Sequence, residues 1–445
     1  MKARFLHFAD CHLGYWQYNN RERYNDFGRA FLQVVDVART ERVDFVLLAG
    51  DLFHKRSIEA LTLNQAMIGL ERLKEAGIPC IAVEGNHELA YHDERLGWVA
   101  MLAMRQLLVL LNPEFRDGEP RLAPYTSRRG SYFDPVPGLR VHGLRYMGAV
   151  TAKVVERYAA ALADQPKDGI EYSIFLTHAG VEGVLPDQGG LSLREWSVLR
   201  PHVDYLALGH IHKPYEFDGW IYNPGSLEAC AITEIAWPER GYYLVEVDTE
   251  RPRAQEESKH TATLHANPRR TFHRLTVKVD LLDTPAALLE HCRELFIRKA
   301  RDWRLHQLPE QARPVVEVQL QGVLAFERSA LDLTALEQLL VEILNPLLPL
   351  VKNLTQSADR AIEIREGMSR AELERHVVNS LLQQDGRFRQ QSERWADVAL
   401  LLKNMALSDA SAEAIVDELA AQMDRIQTRG ELNGESAPTG ESQTS

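Results

Sequence analysis

An aspartate and a histidine one residue apart, Asp10 and His12, open a series of polar residues along the first half of this 445-residue chain. Gly50-Asp51, Gly85-Asn86-His87-Glu88, His178 and Gly209-His210-Ile211-His212 follow in order. The series offers carboxylate oxygens, an amide oxygen and imidazoles, with no thiolate pattern. Such donors suit manganese, iron, zinc or magnesium rather than an iron–sulfur cluster. Holding two cations roughly 3.5–4 Å apart takes a bridging carboxylate. Asp51, central in the series and preceded by glycine, is the natural bridge. At a D-x-H strand end the turn breaks alternation, so Asp10 and His12 can face the same ion. A pair of ions suits phosphodiester hydrolysis at neutral pH, because it acidifies bound water and clamps the phosphorus in line. The leaving alkoxide needs a proton or a hydrogen bond. His54 and His87, close in sequence to ligands, are the candidates.

These residues stand where apolar runs stop. Residues 4–9, 43–49, 79–83, 172–176 and 203–208 read as strands ending at Asp10, Gly50-Asp51, Gly85-Asn86-His87, Thr177-His178 and Gly209-His210. Phe27, Phe31, Val34, Val35 and Ala38 recur at helical spacing over 26–40, and 58–76 is a second helix closed by Gly77 and Pro79. Residues 88–107 read as a third helix. This is the α/β pattern in which chemistry collects at the carboxyl ends of strands. A histidine outside the series is ordinarily surface or core. His92, His142, His202, His265, His273, His306 and His376 are read so, and His7 is read as packing or as support for a ligand.

Further along, 250–270 is polar and reads as a boundary. Alternation at Leu275, Val277 and Val279 and at Val316, Val318 and Leu320 predicts half-exposed strands. Residues 285–296 and 331–343 are helical, and Ile362 with Ile364 suggests a third strand. Ser369-Arg370-Ala371-Glu372 is a capping-box pattern opening amphipathic helices over 369–428. Helices this short need a partner surface. The Gly/Ser/Glu/Thr-rich 428–445 reads as disordered.

Composition narrows the partners. Lys+Arg number 51 against 63 Asp+Glu, a net charge of −12, which argues against coating nucleic acid by bulk attraction but allows a local basic groove. Local clusters exist at Arg21-Glu22-Arg23, Lys55-Arg56, Arg128-Arg129 and Arg269-Arg270. Each can be solvated surface, and Lys55-Arg56 is the best DNA contact because it follows His54. Tyr15 and Tyr18 flank the D-x-H loop and can stack on DNA or simply pack. Cys11, Cys80, Cys230 and Cys292 form no C-x-x-C pair, which fits a reducing cytoplasm. No apolar run approaches ~18 residues, so no membrane span is expected, and polar residues come too early for a signal-peptide core.

The ordered set D-x-H, G-D, G-N-H-[DE], H, G-H-x-H resembles the calcineurin-like metallophosphoesterase superfamily. Asp10 to Tyr15, Gln17-Tyr18, Arg21-Glu22-Arg23, Asp26-Phe27 and Gly50-Asp51-Leu52-Phe53-His54 resemble DNA double-strand-break repair nucleases of the SbcD type. Asn223-Pro224-Gly225-Ser226-Leu227-Glu228 and the layout beyond it extend the likeness. The resemblance implies an α/β metallophosphoesterase sandwich of two mixed β-sheets flanked by helices over 1–260. It further implies a small α+β DNA-capping domain over 270–367, helices over 369–428 that grip an SbcC-type SMC-like coiled-coil ATPase, and a disordered tail over 429–445. One ion would be held by Asp10, His12 and His212, the other by Asn86, His178 and His210, with Asp51 between them. His54 would position the phosphate or leaving group, and His87 would stabilise the transition state. Glu88 departs from the usual aspartate, although either carboxylate can orient His87.

The implied protein is a cytoplasmic, nucleoid-associated exonuclease/endonuclease with two divalent ions, manganese suiting the oxygen and imidazole donors best. It would be a homodimer through helices 58–76 and 88–107, whose Leu61, Leu63, Leu96 and Met101 look exposed. Two other readings stand beside it. One is a phosphodiesterase or phosphatase acting on small or protein phosphoesters, toward which Glu88 leans. The other is an architectural clamp that bridges DNA ends.

Overall fold

A computed structural model of the chain describes residues 1–89, 96–126, 129–166, 169–186, 189–250, 258–357, 369–384, 388–408 and 410–431. His92, Arg128, the strand expected at Ile362 and Ile364, and most of the expected tail lie outside the described residues. The chain divides into two compact units. The first is Met1–Arg274 with Gln307–Glu317 and Pro346–Leu348; the second is the remainder.

The first unit holds two six-stranded sheets. One runs in the order His260–Ala266, Gly241–Asp248, Lys2–Phe8, Phe45–Leu48, Cys80–Ala82, Val109–Leu110. The other runs Tyr215–Phe217, Ile221–Asn223, Tyr205–Leu208, Tyr172–Thr177, Leu139–Leu144, Tyr132–Val136. Each is mixed, with parallel strands at its centre and antiparallel pairs beside them. Parallel strands covered on both faces read as continuous apolar runs. Phe45-Val46-Leu47-Leu48 is such a run, with Phe45 and Leu47 in the apolar layer between the sheets and Val46 and Leu48 in the layer under the helices. Each such side chain contributes about 1.5–3 kcal/mol by its burial. Helices Arg21–Thr40, Ala60–Glu75 and Trp98–Met104 cover the first sheet, and Thr151–Ala163 covers the second.

His7 joins the two sheets beneath the strand ends. Its Nε2–H donates to the Leu208 carbonyl at 3.0 Å, so its Nδ1 accepts from the Tyr205 hydroxyl, also at 3.0 Å. Burial pushes this imidazole down to about 3, keeping it neutral.

Several expectations change. Of the helix expected over 88–107, the described residues show Trp98–Met104, and Glu88 stands in a turn. The first helix starts at Arg21 rather than Asp26, because the Asn20 side chain caps the backbone N–H groups of Glu22 and Arg23 at 2.8 and 3.2 Å. Arg23 and Arg270, whose clusters the sequence leaves open between DNA contact and solvated surface, are buried instead. Arg23 donates to Gln17, Asp26 and Glu228 at 2.8, 2.5 and 3.1 Å, and Arg270 meets the same Asp26 at 2.6 Å. The polar stretch 250–270 carries a strand, His260–Ala266, paired with Gly241–Asp248.

A three-stranded sheet follows, in the order Phe272–Lys278, Val315–Leu324, Leu348–Ser357, with helices Pro285–Asp302 and Leu333–Leu344. Its third strand therefore precedes Ile362. Thr284 caps the first of these helices with proline in its first turn, and Asp332 caps the second. Helices Arg370–Gln384, Ser392–Leu407 and Ala412–Glu431 come last. The capping box is formed, with Ser369 N–H donating to Glu372 at 2.7 Å and Glu372 N–H to Ser369 Oγ at 3.3 Å. The last helix runs to Glu431, past the 428 expected as the start of disorder. Among the described residues no helix is long and apolar enough to cross a membrane.

Candidate metal centre

Loops after neighbouring parallel strands run side by side. Asp10 N–H donates to Gly50 O, His12 N–H to Asp51 O and Leu13 N–H to Leu52 O at 3.2, 3.1 and 2.9 Å. That lacing sets the D-x-H and G-D segments against each other. Asp10, His12, Asp51 and His210 all adopt left-handed backbone, at φ of 53°, 48°, 53° and 83°. Non-glycine residues are uncommon there, with Asp and His among the more tolerant types. The turn swings successive side chains to one side. Two glycines allow close approach. A Cβ on Gly85 would fall on the Asp51 carboxylate, and one on Gly50 would fall on the His178 ring.

His178 Nδ1–H donates to the Ala49 carbonyl at 2.7 Å, which turns Nε2 inward. Nε2 lies 3.0 Å from Asn86 Oδ1 and 3.3 Å from both Asp51 Oδ2 and His210 Nδ1. His210 Nδ1 is also 3.0 Å from Asn86 Oδ1. On the other side of Asp51, His12 Nε2 and His212 Nε2 are 2.9 Å apart, with His212 Nε2 4.0 Å from Asp10 Oδ1. Among the described residues, Asp10, His12 and Asp51 present ligand atoms within 4.8 Å of one another.

These donors fit cations. A neutral His178 that donates through Nδ1 has only a lone pair at Nε2, and that lone pair faces an amide oxygen and a carboxylate. Acceptors brought this close repel unless positive charge lies among them. The titration directions agree. Burial disfavours charge on His178, yet Asp51 and then Asp10 raise its pKa to about 9. Burial likewise opposes charge on Asp51, but His178, His12 and His87 hold it far below the carboxylate range. Burial lifts Asp10 to about 6 despite His178 and His212.

All seven expected ligands thus meet at one place, and both expected catalytic histidines border it. His87 Nδ1–H donates to the His54 carbonyl at 2.6 Å, and its Nε2 lies 3.9 Å from Asp51 Oδ2. His54 Nδ1 is 3.4 Å from His12 Nδ1, and burial followed by His87 lowers its pKa to about 4. The sequence expected Glu88 to orient the His87 ring, and the structure does not bear this out. The Glu88 carboxylate instead accepts from Phe53 N–H at 3.0 Å and Gly85 N–H at 3.1 Å, tying two ligand loops together. Burial and then the Asp51 charge push Glu88 up to about 8.

Of the DNA-contact candidates, Tyr15 stacks on His54 with ring centroids 3.8 Å apart. Tyr18, Lys55 and Arg56 are exposed nearby in sequence. Sequence reasoning missed Glu234. Its Oε1 accepts from His212 Nδ1 at 2.8 Å and so leaves Nε2 facing the centre. No local pattern announced it, since the pair is 22 residues apart and Glu234 sits in a short 3-10 turn.

The profile of the calcineurin-like phosphoesterase family matches residues 3–214. The chain is 30% identical over 301 residues to the DNA double-strand break repair protein Mre11 of Saccharolobus solfataricus, covering 65% of this chain and 71% of that one. To the protein of that name from Haloferax volcanii it is 48% identical over 251 residues, covering 55% and 49%. To that from Archaeoglobus fulgidus it is 31% identical over 256 residues, covering 52% of each. The matched region is therefore about half the length of the latter two relatives.

Proposed function

The chain belongs to the Mre11 family of DNA double-strand break repair proteins, and from that premise we propose that it is a metal-dependent DNA nuclease. The observation that carries this reading is the convergence of acceptor atoms around Asp51. Asp10, His12 and His212 would hold one divalent ion and Asn86, His178 and His210 the other, with Asp51 between. The ion we propose is manganese, which such an oxygen-containing donor set with open positions accommodates. When bound, the ions supply an activated water and neutralise charge on the phosphate.

The chain's own residues do the rest. His87 has Nδ1 committed to a carbonyl, so Nε2 is the atom available to the phosphate or the leaving oxygen. His54, kept neutral, offers its outer nitrogen to the same group, and the stacked Tyr15 ring fixes its plane. Tyr18, Lys55 and Arg56 would touch the DNA backbone, which positions the duplex without reading sequence. Glu234 keeps His212 in the right tautomer.

The wider assignment is part of the proposal. Residues 1–260, with the strand that continues to Ala266, would form the nuclease domain, 270–367 would cap the DNA, and 369–428 would grip an SbcC-type SMC-like ATPase. Exposed Leu381, Leu401, Leu407, Val416 and Met423 on the last helices support a partner surface. Leu61, Leu96, Trp98 and Met104 are exposed and support a homodimer, whereas Leu63 and Met101 pack on the core. A cytoplasmic, nucleoid-associated location follows from that activity.

The test is nucleotide release from linear duplex DNA with manganese, with and without the ATPase. His87→Ala should slow it by roughly 10²-fold or more, and a chelator should abolish it. Hydrolysis of a small aryl phosphodiester with DNA left intact would assign a phosphodiesterase instead.

A further inference from the structure

We propose that Cys230, with His12 and His212, forms a site for a thiophilic divalent ion of the zinc class, and that an ion there switches the nuclease off by taking two histidines from the manganese pair. What is switched off rests on the functional reading above; the site does not.

Cys230 Sγ and ring nitrogens of His12 and His212 lie within 4.8 Å of one another. His212 Nδ1 is committed to Glu234, so the atom it offers is Nε2, which already faces His12 Nε2 at 2.9 Å. The cysteine backbone is anchored on both sides. Its N–H donates to Glu234 Oε2 at 3.0 Å, so one carboxylate holds both the thiol-bearing residue and His212. Its carbonyl accepts from Gln17 Nε2 at 2.7 Å, and Gln17 is itself held by Arg23 at 2.8 Å. Cys11, Cys80 and Cys292 are buried, whereas Cys230 is half-buried beside the metal centre.

Two imidazoles and a thiolate are a donor set that zinc takes readily, with one position left open. Manganese prefers oxygen and stands below zinc in affinity for such donors. As the sulfur–metal bond forms, the thiol proton leaves to solvent and no electron changes hands. The ratio of zinc to manganese then sets activity through a residue that manganese does not need.

Cobalt tests the site without any assay of activity. Metal-free protein titrated with Co(II) should develop a near-ultraviolet thiolate-to-cobalt charge-transfer band that Cys230→Ser and Cys230→Ala both lack. Thermal unfolding of each variant confirms that it folds. In parallel, zinc is titrated into manganese-driven DNA degradation, each protein normalised to its own zinc-free rate. The half-inhibiting zinc concentration should rise by about tenfold or more in Cys230→Ser. No band in the wild type, an equal band in the variants, or superimposed zinc curves would overturn the proposal. Nuclease activity absent from every protein would fell the functional reading and leave the cobalt spectrum to decide this one.

Discussion

Near the start of the long first helix, Arg23 and Arg270 lie buried beside Asp26 and Glu228, two cations against two anions. At the strand ends, Asp10 and Asp51 lie buried beside imidazoles and an amide oxygen. The first cluster satisfies itself: the guanidinium hydrogens meet carboxylates and carbonyls, and Arg270 with Arg23 overcomes burial to hold Asp26 below its ordinary range. The second sets its carboxylates among imidazoles, and against the effect of burial Asp51 and then Asp10 raise the His178 pKa to about 9. Burying charge costs several kcal/mol per ion unless it is matched. The matched cluster is architecture, and the unmatched one is a place prepared for something else.

The largest effect expected from breaking this contrast is at Arg23. Arg23→Met leaves Glu228 and part of Asp26 buried without their partner and should cost about 3–5 kcal/mol in denaturant unfolding. An unchanged midpoint would mean the cluster is not structural. The unmatched cluster should respond to metal instead. Manganese at about 100 times its Kd should stabilise the wild type by about 2.7 kcal/mol. Asp51→Asn should flatten that rise in melting temperature, and an equal rise in the variant would remove Asp51 from the ion-binding set.

The effect smallest per unit change in conditions comes from a third manner of burial. His7 and His142 are enclosed as neutral rings, each pushed down to about 3 by burial. The unfolded chain takes up these protons near pH 6.5, and the folded chain does so only near 3. Their contribution is therefore whole above the ordinary histidine range and falls as pH drops toward 3, by about 1.4 kcal/mol per histidine per unit. His142→Gln should flatten the acid slope of unfolding free energy by that amount, and an unchanged slope would show that His142 charges in the folded state.

The centre was legible because each ligand type coincided with the end of an apolar run, as at Leu47-Leu48-Ala49-Gly50-Asp51. Where an apolar strand stops at a carboxylate, local pattern and chemistry point to the same atom. Arg23 was misread because a charge run carries no mark of whether its partners arrive from Glu228 and Arg270 far along the chain. His260–Ala266 was hidden for a related reason. On its core-facing side this edge strand offers only the partly buried Ala262 and Leu264, alternating with Thr261, Thr263 and His265, which is too weak an apolar pattern to stand out in a polar stretch. Glu234 finds His212 only after the fold has brought a short turn against the His212 loop.

The left-handed backbone at Asp10, His12, Asp51 and His210 is a cost as well as a geometry. At positive φ glycine is the least strained residue. Glycine at any of these four positions would relieve that strain and would remove a carboxylate or an imidazole in doing so. The centre thus holds its acids and imidazoles against the preference of the backbone that carries them.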